Sequence, residues 1–320
     1  MNRKAKDGIS LPDFLSKFST DEDCRALLER IRWPEGRFCP HCGGLRSWPI
    51  KCEAARSGLY ECGECHKQFT ATVGTVFEHS KICLMKWFLA IFLMVDSRKG
   101  MSANQLSRTL GVTYKTAWFM CHRIRHMMKE KDSLGKALGG TVEVDETYVG
   151  GKPRRHSGEK SKRGRGTKKT PVMVLVERGG MARSSVIASV NAGTLKAAIR
   201  EQVDRTAHIM TDEWSSYRGL AKEFASHGVV NHKKGQYKDG DASTNTAESF
   251  FALLKRGVYG TFHHVSKQHL IRYCAEFDFR WNTRAEAHLS NVGEVLNGSI
   301  GRRLTYYETI NVKTKKKPAR

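Results

Sequence analysis

The chain has 320 residues, in which 55 Lys and Arg outnumber 32 Asp and Glu to give a formal net charge of +23. This length suffices for two or three domains, and the charge predicts a polyanionic partner, nucleic acid ahead of an anionic membrane surface. The longest apolar run, at 82–95, has 14 residues and contains Lys86. A membrane-spanning helix needs about 20 residues, so we expect a buried core helix and no membrane association.

The beginning of the chain, MNRKAKDGIS, is basic, and no apolar signal segment follows it. Nine cysteines in an unexported chain indicate free thiols or metal ligands rather than a disulfide framework. The sequence therefore predicts an intracellular protein that is not secreted, cytoplasmic and associated with the nucleoid.

Two Cys-x-x-Cys pairs separated by 19 residues lie within residues 36–77, after an N-terminal helical segment at 1–35. The pairs consist of Cys39, Cys42, Cys62 and Cys65. This spacing is typical of a tetrahedral four-cysteine zinc site held by two β-knuckles. Gly43 and Gly63 suit tight turns whose amides point at thiolate sulfur. We therefore predict a zinc ribbon with one structural Zn²⁺.

Free or redox-active thiols are the alternative to this zinc site. His41 and His66 are the nearest alternative ligands, and Cys52 lies between the pairs without a partner at knuckle spacing. The other cysteines are expected to be ordinary buried residues: Cys24, Cys83, Cys121 and Cys274.

Residues 80–132 are predicted to form a DNA-binding region. Ser102 can cap a first helix, Gly111 ends it, and Thr113 opens a second helix. Two helices joined by a short Gly-containing turn form a helix-turn-helix, although an ordinary αα-hairpin in a bundle has the same pattern.

Four side chains of the second helix are the candidate DNA contacts. Tyr114 and Lys115, early in the helix, would face the major groove. Arg123 and Arg125 would reach phosphates.

From residue 141 the pattern becomes that of an α/β domain. Strands are predicted at 141–148, 172–178, 183–190, 207–211 and 227–232, and helices at 194–205, 245–256 and 266–283. Strands mostly in meander order, then a helix and a further strand, predict a mixed sheet flanked by helices.

A basic loop at 150–170 separates the first two of these strands. It contains nine Lys or Arg, one Glu and five Gly, a composition that cannot build a core. It is either a solvated run of charge or a segment ordered by phosphate contacts. Its candidate DNA-binding residues are Lys152, Arg154, Arg155, Lys162, Arg163, Arg165, Lys168 and Lys169. A basic C-terminal tail is predicted at 291–320, ending in KTKKKPAR.

Three carboxylates stand at strand ends and at a helix start. Asp145 ends the first strand, Asp212 follows another strand after 66 intervening residues, and Glu248 begins an amphipathic helix after 35 more. They converge if the two strands are neighbours, and their mutual repulsion then calls for divalent cations. Oxygen ligands suit Mg²⁺ or Mn²⁺, and two such ions about 4 Å apart clamp an in-line phosphoryl displacement.

Alternatives exist for each carboxylate. Both aspartates can be turn residues, and Glu143 and Glu213 compete with them for the role. Asn245-x-x-Glu248 resembles a capping box. Lys255, seven residues after Glu248, lies on the same helix face two turns away.

The order of these motifs resembles that of insertion-sequence transposases with an N-terminal zinc ribbon and a ribonuclease-H-like DDE catalytic domain. The resemblance runs from about residue 10 to about residue 285 and includes the ribbon, the helix-turn-helix, VEVDETYVGG, TDEWSSY and TNTAESFFALLKRGVYGTFHHVS. It implies a multidomain protein whose DDE domain occupies 139–290. Asp145, Asp212 and Glu248 would bind metal, with Asn245 the second candidate for the third position, and Lys255 would contact a DNA phosphate near the scissile bond.

The resemblance further implies a transposase that binds the terminal inverted repeats of its element, cuts double-stranded DNA and joins a 3′-hydroxyl to target DNA. Two DNA ends must be held together, so a homodimer or larger assembly is expected. Two other functions stay open: a metal-dependent nuclease on the same scaffold without strand transfer, and a DNA-binding regulator with an inert catalytic domain. The intact set of carboxylates argues against the regulator.

Overall fold

The computed structural model describes residues 9–51, 57–130, 137–151, 167, 169–230 and 242–310. The chain divides into two compact units: Met1–Met128 with Ala285–Arg320, and Lys129–Arg284. No helix in the described ranges combines the length and the apolarity that crossing a membrane requires.

The first unit consists of helices and a small three-stranded antiparallel sheet in the order β1-β2-β3. Its elements are α1 (Leu11–Lys17), α2 (Asp21–Arg32), β1 (Ser47–Pro49), β2 (Tyr60–Cys62), β3 (Gln68–Phe69), α3 (Leu84–Asp96), α4 (Ala103–Leu110) and α5 (Tyr114–Met128). The apolar run predicted to be a core helix forms α3, where Trp87, Phe88 and Ile91 are fully buried. Phe14 of α1 packs on Phe92 with ring centroids 4.4 Å apart.

Helices α4 and α5 are joined as the sequence predicts. The Ser102 hydroxyl accepts a hydrogen bond from the Gln105 amide at 3.2 Å and caps α4. Gly111 ends that helix in the left-handed conformation, at φ 61°, which glycine adopts without a steric penalty. The Thr113 hydroxyl then accepts a hydrogen bond from the Thr116 amide at the start of α5. A short turn therefore joins the two helices, an arrangement common to a helix-turn-helix and an ordinary αα-hairpin.

The last described residues also belong to the first unit. They form α9 (His288–Asn297) and α10 (Tyr306–Ile310). This differs from the basic tail predicted at 291–320, because Val292, Val295 and Leu296 make an apolar face that is fully buried. The tail was predicted from the basic residues at the end of the chain. Residues 311–320, which carry that charge, lie outside the described residues.

The second unit has a five-stranded mixed sheet in the order β6-β5-β4-β7-β8. Its elements are β4 (Thr141–Val149), β5 (Thr170–Glu177), β6 (Ala182–Val186), α6 (Ala192–Gln202), β7 (His208–Asp212), β8 (Ser226–Val230), α7 (Asn245–Gly257) and α8 (Leu270–Asn282). The first three strands pair antiparallel, whereas β4, β7 and β8 pair parallel. The predicted fold is confirmed: a multidomain protein with a zinc ribbon, a helical region and a mixed α/β sheet domain.

Helices cover both faces of this sheet. Residues of α7 and α8 pack with Val172, Val174 and Val176 in one buried cluster, and residues of α6 pack with Met173 and Leu175 in another. Strand β5 is apolar on both faces because neither face meets water. Side chains that alternate along β4 therefore point to different helices.

Candidate active site

Asp145 and Asp212 lie on neighbouring parallel strands. The β4–β7 pairing includes Val142 with Ile209 and ends at Glu143 with Met210; continued by two residues, the same register sets Asp145 opposite Asp212. The two aspartates therefore lie on the same face of the sheet. Asp145 is not at a strand end, as the sequence suggested, because antiparallel pairing with β5 continues β4 to Val149.

Glu248 is brought to the same face of the sheet by α7. It is the fourth residue of this helix and is exposed. Ala247, Phe250 and Leu254 of α7 are fully buried against the valines of β5, and this packing fixes the helix on the sheet. Convergence of the three carboxylates, which depended on the two strands being neighbours, is thus consistent with the observed topology.

The three carboxylates interact electrostatically. The pKa of Asp145 is raised to about 7, mainly by burial and in part by repulsion from Glu146, Asp212 and Glu248. The Glu146 amide donates to Asp145 Oδ1 at 2.8 Å and acts in the opposite direction. Carboxylates that repel one another supply the oxygen ligands that Mg²⁺ or Mn²⁺ prefers. The three side chains therefore offer the type of donor atom that such ions prefer.

Of the two competing acidic residues, Glu143 has other partners. Glu143 is fully buried and accepts hydrogen bonds from the amides of Thr246 and Ala247 at 2.7 and 3.1 Å. Glu213 is half-buried beside Asp212, whose Oδ1 accepts a 3.1 Å hydrogen bond from the amide of Trp214. Glu143 is therefore a buried side chain bonded to the first turn of α7, and these contacts distinguish it from Asp145 and Asp212.

Tyr217 is a neighbour of this site that sequence reasoning missed. Its hydroxyl donates a 2.7 Å hydrogen bond to Glu146 Oε2. Burial raises the pKa of Tyr217 well above its ordinary value, and the charge of Glu146 adds to the effect. Glu146 follows Asp145 and points to the opposite face of β4, so Tyr217 holds the second acid of the VDE sequence away from α7. The Tyr of TDEWSSY, five residues after Asp212, was the available signal.

The capping box suggested by Asn245 and Glu248 does not start α7. Thr244 is the N-cap residue and makes no side-chain capping bond, and Asn245 is the first helical residue. The helix amides that a cap would satisfy donate instead to Glu143, which no local pattern could reveal. Asn245 is exposed.

Lys255 lies two turns along α7 from Glu248. It is exposed, and its Nζ lies 5.9 Å from the ring centroid of Phe251. Because α7 runs from Asn245 to Gly257, Lys255 and Glu248 belong to one helix, and seven residues apart they lie on the same helix face, as predicted.

The four predicted zinc ligands form one cluster in the first unit. The sulfur atoms of Cys39, Cys42, Cys62 and Cys65 all lie within 4.8 Å of one another. The amide of His41 donates to Cys39 Sγ and that of Glu64 to Cys62 Sγ, both at 3.4 Å. Backbone amides at Cys65 and Glu64 lower the pKa of Cys62 to about 7. Four cysteine sulfurs this close together are suited to Zn²⁺.

The second knuckle differs from the prediction. Gly43 has φ 81°, as a tight turn requires, but in the second knuckle His66, not Gly63, has the left-handed conformation, at φ 56°. Gly63 instead lies against the ring of Trp48, which a Cβ would meet at 2.9 Å. The predicted alternative ligands His41 and His66 are exposed and lie outside the sulfur cluster.

The candidate DNA contacts of α5 divide into two groups. Tyr114 and Lys115 are exposed. Arg123 and Arg125 are only 7% and 2% exposed, which contradicts the expectation that they reach phosphates. Arg123 Nε donates to the carbonyl of Leu304 at 2.8 Å, and burial lowers its pKa to about 10. The return of the C-terminal segment to this unit was not visible in the sequence.

Most of the predicted basic loop lies outside the described residues. This applies to Lys152, Arg154, Arg155, Lys162, Arg163, Arg165 and Lys168, and also to Cys52 of the ribbon. Lys169 is described and half-buried, and its amide donates to the Thr167 hydroxyl at 3.4 Å.

Comparisons with known proteins agree with this order of domains. The profile of the ISXO2-like transposase domain matches residues 137–282, and that of a transposase zinc-ribbon domain matches residues 19–68. A Halobacterium salinarum protein, described as an uncharacterized protein in transposable element ISH50, is 32% identical in an alignment of 286 residues that covers 83% of this chain and 92% of that protein.

Two solved structures of Mos1 align only loosely. The Mos1 strand transfer complex matches at 13% identity with a TM-score of 0.29, over 65% of this chain and 74% of the Mos1 chain. The pre-cleavage Mos1 transpososome matches at 12% identity with a TM-score of 0.25, over 68% and 80% of the two chains. Scores this low add nothing to the identification, which depends on the two domain profiles and on the relative aligned over most of both chains. The chain belongs to the family of insertion-sequence transposases that have an N-terminal zinc ribbon and an ISXO2-like transposase domain.

Proposed function

We propose that this transposase cleaves DNA at the ends of its own element and transfers the resulting 3′-hydroxyl to target DNA. The observation that supports the proposal is the placement of Asp145, Asp212 and Glu248 on one face of a mixed sheet, with the pKa of Asp145 raised by burial and by the other acids. Such a site is suited to phosphoryl transfer, in which positioning and charge stabilisation supply most of the catalysis.

Asp145, Asp212 and Glu248 would hold two Mg²⁺ or Mn²⁺ ions. Bound ions would supply a Lewis acid for the phosphate and lower the pKa of the attacking hydroxyl. Water is the nucleophile for cleavage and the DNA 3′-hydroxyl for transfer, so no protein side chain is joined to DNA. The exposed ammonium of Lys255, on the same helix as Glu248, would bind a phosphate near the scissile bond.

The zinc ribbon and the helix-turn-helix would recognise the terminal inverted repeats. Exposed Tyr114 and Lys115 stand at the start of the second helix, the end that contacts bases in such motifs. The basic loop at 150–170 and the C-terminal KTKKKPAR would add affinity for any duplex, in keeping with the net charge of +23. Synapsis of two ends calls for a homodimer or a larger assembly.

The test compares Glu248→Gln with Asn245→Ala in assays that score DNA-end cleavage and strand transfer separately, in Mg²⁺ and in Mn²⁺. Glu248→Gln preserves the size of the side chain and removes its charge, so both steps should fall by several orders of magnitude while repeat binding is unchanged. Asn245→Ala should keep most activity, because the proposal assigns the third ligand to Glu248 and not to Asn245.

Three results would change the proposal. An active Glu248→Gln beside an inactive, folded Asn245→Ala would move the third ligand to Asn245. Cleavage without transfer by the wild-type protein would make it a nuclease. Repeat binding with neither step would make it a regulator.

A further inference from the structure

Glu143 connects the strand of Asp145 to the helix of Glu248. It lies two residues before Asp145 on β4 and is fully buried. Its Oε2 accepts hydrogen bonds from the amides of Thr246 and Ala247, in the first turn of α7. Its Oε1 accepts from the Thr246 hydroxyl at 3.0 Å. A carboxylate at this position satisfies amides that the helix leaves unpaired and interacts favourably with the helix dipole.

Arg178 completes the connection from the other neighbouring strand. It follows β5, and its Nε donates to Glu143 Oε1 at 2.7 Å. Its terminal nitrogen donates to the carbonyl and hydroxyl oxygens of Ser243 at 3.2 and 2.8 Å. The segment that enters α7 is therefore attached to β4 through Glu143 and to the end of β5 through Arg178.

The two oxygens of Glu143 are fully engaged. A carboxylate offers about four acceptor positions, and four donors lie within 3.1 Å of it: two amides, one hydroxyl and the Arg178 guanidinium. Glu143 is thus a poor metal ligand although it shares a strand face with Asp145. Its contacts end at Ala247, the residue before Glu248.

We propose that Glu143 is a positioning residue that sets the separation between the carboxylates of Asp145 and Glu248, and through it the binding of the second metal ion. The inference rests on the proposed function. A rigid link from β4 to the first turn of α7 leaves Glu248 little freedom to approach or leave Asp145. Two-ion sites need a separation of about 4 Å between the ions, and removing a residue that orients a ligand lowers metal affinity about tenfold to a hundredfold.

The test is Mn²⁺ binding by the full-length protein, titrated with Mn²⁺ alone and followed by electron paramagnetic resonance. The wild type is compared with Glu143→Gln, Thr246→Val, Glu248→Gln and Glu201→Gln. Glu143→Gln loses the charge and one acceptor. Thr246→Val removes only the hydroxyl donor, and Glu201→Gln is the matched control, since Glu201 is an exposed carboxylate of α6 in the same unit.

We expect Glu143→Gln to lower the affinity for the second Mn²⁺ ion by about tenfold or more. Thr246→Val should lower this affinity less, and Glu201→Gln should bind both ions like the wild type. A lower melting temperature alone would not distinguish positioning from simple capping. Wild-type binding of both ions by Glu143→Gln and Thr246→Val would overturn the inference, whatever their stability. If Glu143→Gln does not fold, Thr246→Val decides alone, because it keeps the carboxylate and both amides.

The Glu248→Gln variant separates this inference from the proposed function. If it binds Mn²⁺ as the wild type does, Glu248 is not a ligand, so the inference fails together with the role that the proposed function gives Glu248. If it loses the second ion while the Glu143 and Thr246 variants keep it, the proposed function stands and only the positioning role of Glu143 fails.

Discussion

Asp278 of α8 accepts hydrogen bonds from both the amide and the hydroxyl of Ser184 on β6, at 3.1 and 2.7 Å. Burial raises the pKa of Asp278 to about 8, although the Ser184 bonds and the charge of Arg183 oppose the shift. Helix α8 is thus joined to the edge strand β6 of the mixed sheet by a carboxyl group whose pKa is raised by burial.

The stability of the second unit should therefore fall as pH rises. The folded pKa of Asp278 lies above its unfolded value near 3.8, so between these two values the folded state binds the extra proton and stability is lost with increasing pH. We expect the wild type to lose about 1 kcal/mol per pH unit relative to Asp278→Asn between pH 5 and pH 8. Pulse proteolysis of the full chain in urea, scoring fragments from residues 129–284, measures this.

Asp204→Asn is the matched control for the pH series. Asp204 is exposed, and hydrogen bonds from the Thr206 hydroxyl and amide lower its pKa. It is ionised in both states above pH 5, so its variant should follow the wild type. Parallel pH profiles of Asp278→Asn and the wild type would show that Asp278 is ionised in the folded protein.

Arg123 and Lys115 should have opposite effects although both are cations of α5. Arg123→Gln should lower the free energy of unfolding by about 1–3 kcal/mol, because the carbonyl of Leu304 loses its buried charged donor. Lys115→Gln should leave the free energy of unfolding unchanged and weaken repeat binding. The slope of log affinity against log salt concentration should become shallower by about 1. Denaturant unfolding and DNA binding at several salt concentrations check both. A steep loss of DNA affinity in a fully stable Arg123→Gln would restore the phosphate role to Arg123.

Zinc should be required for folding of residues 36–77. The purified protein should contain about one Zn²⁺ per chain, and Cys62→Ser should lose it and become sensitive to protease between residues 36 and 77, while the second unit stays folded. Cys83→Ser is the control, since Cys83 is half-buried and outside the sulfur cluster. Elemental analysis with limited proteolysis measures this, and a folded ribbon without zinc would refute it.

Deleting residues 152–168 should weaken nonspecific DNA binding. Val149 and Thr170 are register partners at the ends of β4 and β5, so Gly150, Gly151 and Lys169 can still connect the strands. The slope of log affinity against log salt should flatten by about 0.9 for each phosphate that the shortened protein no longer neutralises. Preference for the inverted repeat over random duplex, measured by competition, should persist. Loss of that preference would mean that the loop, and not the helix-turn-helix, reads sequence.

The sequence by itself determined the features that depend on local pattern. Cysteine spacing identified the zinc ligands, alternation and apolar runs located the strands, and Gly111 marked the turn between α4 and α5. Asp145, Asp212 and Glu248 were selected by their positions relative to those elements. Each of these depends on residues close together in the chain, where periodicity and turn chemistry act directly.

Only the tertiary structure decided the roles that depend on distant segments. Glu143 looked like a rival of Asp145, and it became a helix cap because α7, about a hundred residues later, packs its first turn against β4. Arg123 was predicted to contact phosphate, but in the structure it is buried and donates a hydrogen bond to the carbonyl of Leu304. A charged side chain has the same local signature whether it faces solvent or a buried donor, and burial by a segment far along the chain decides between the two.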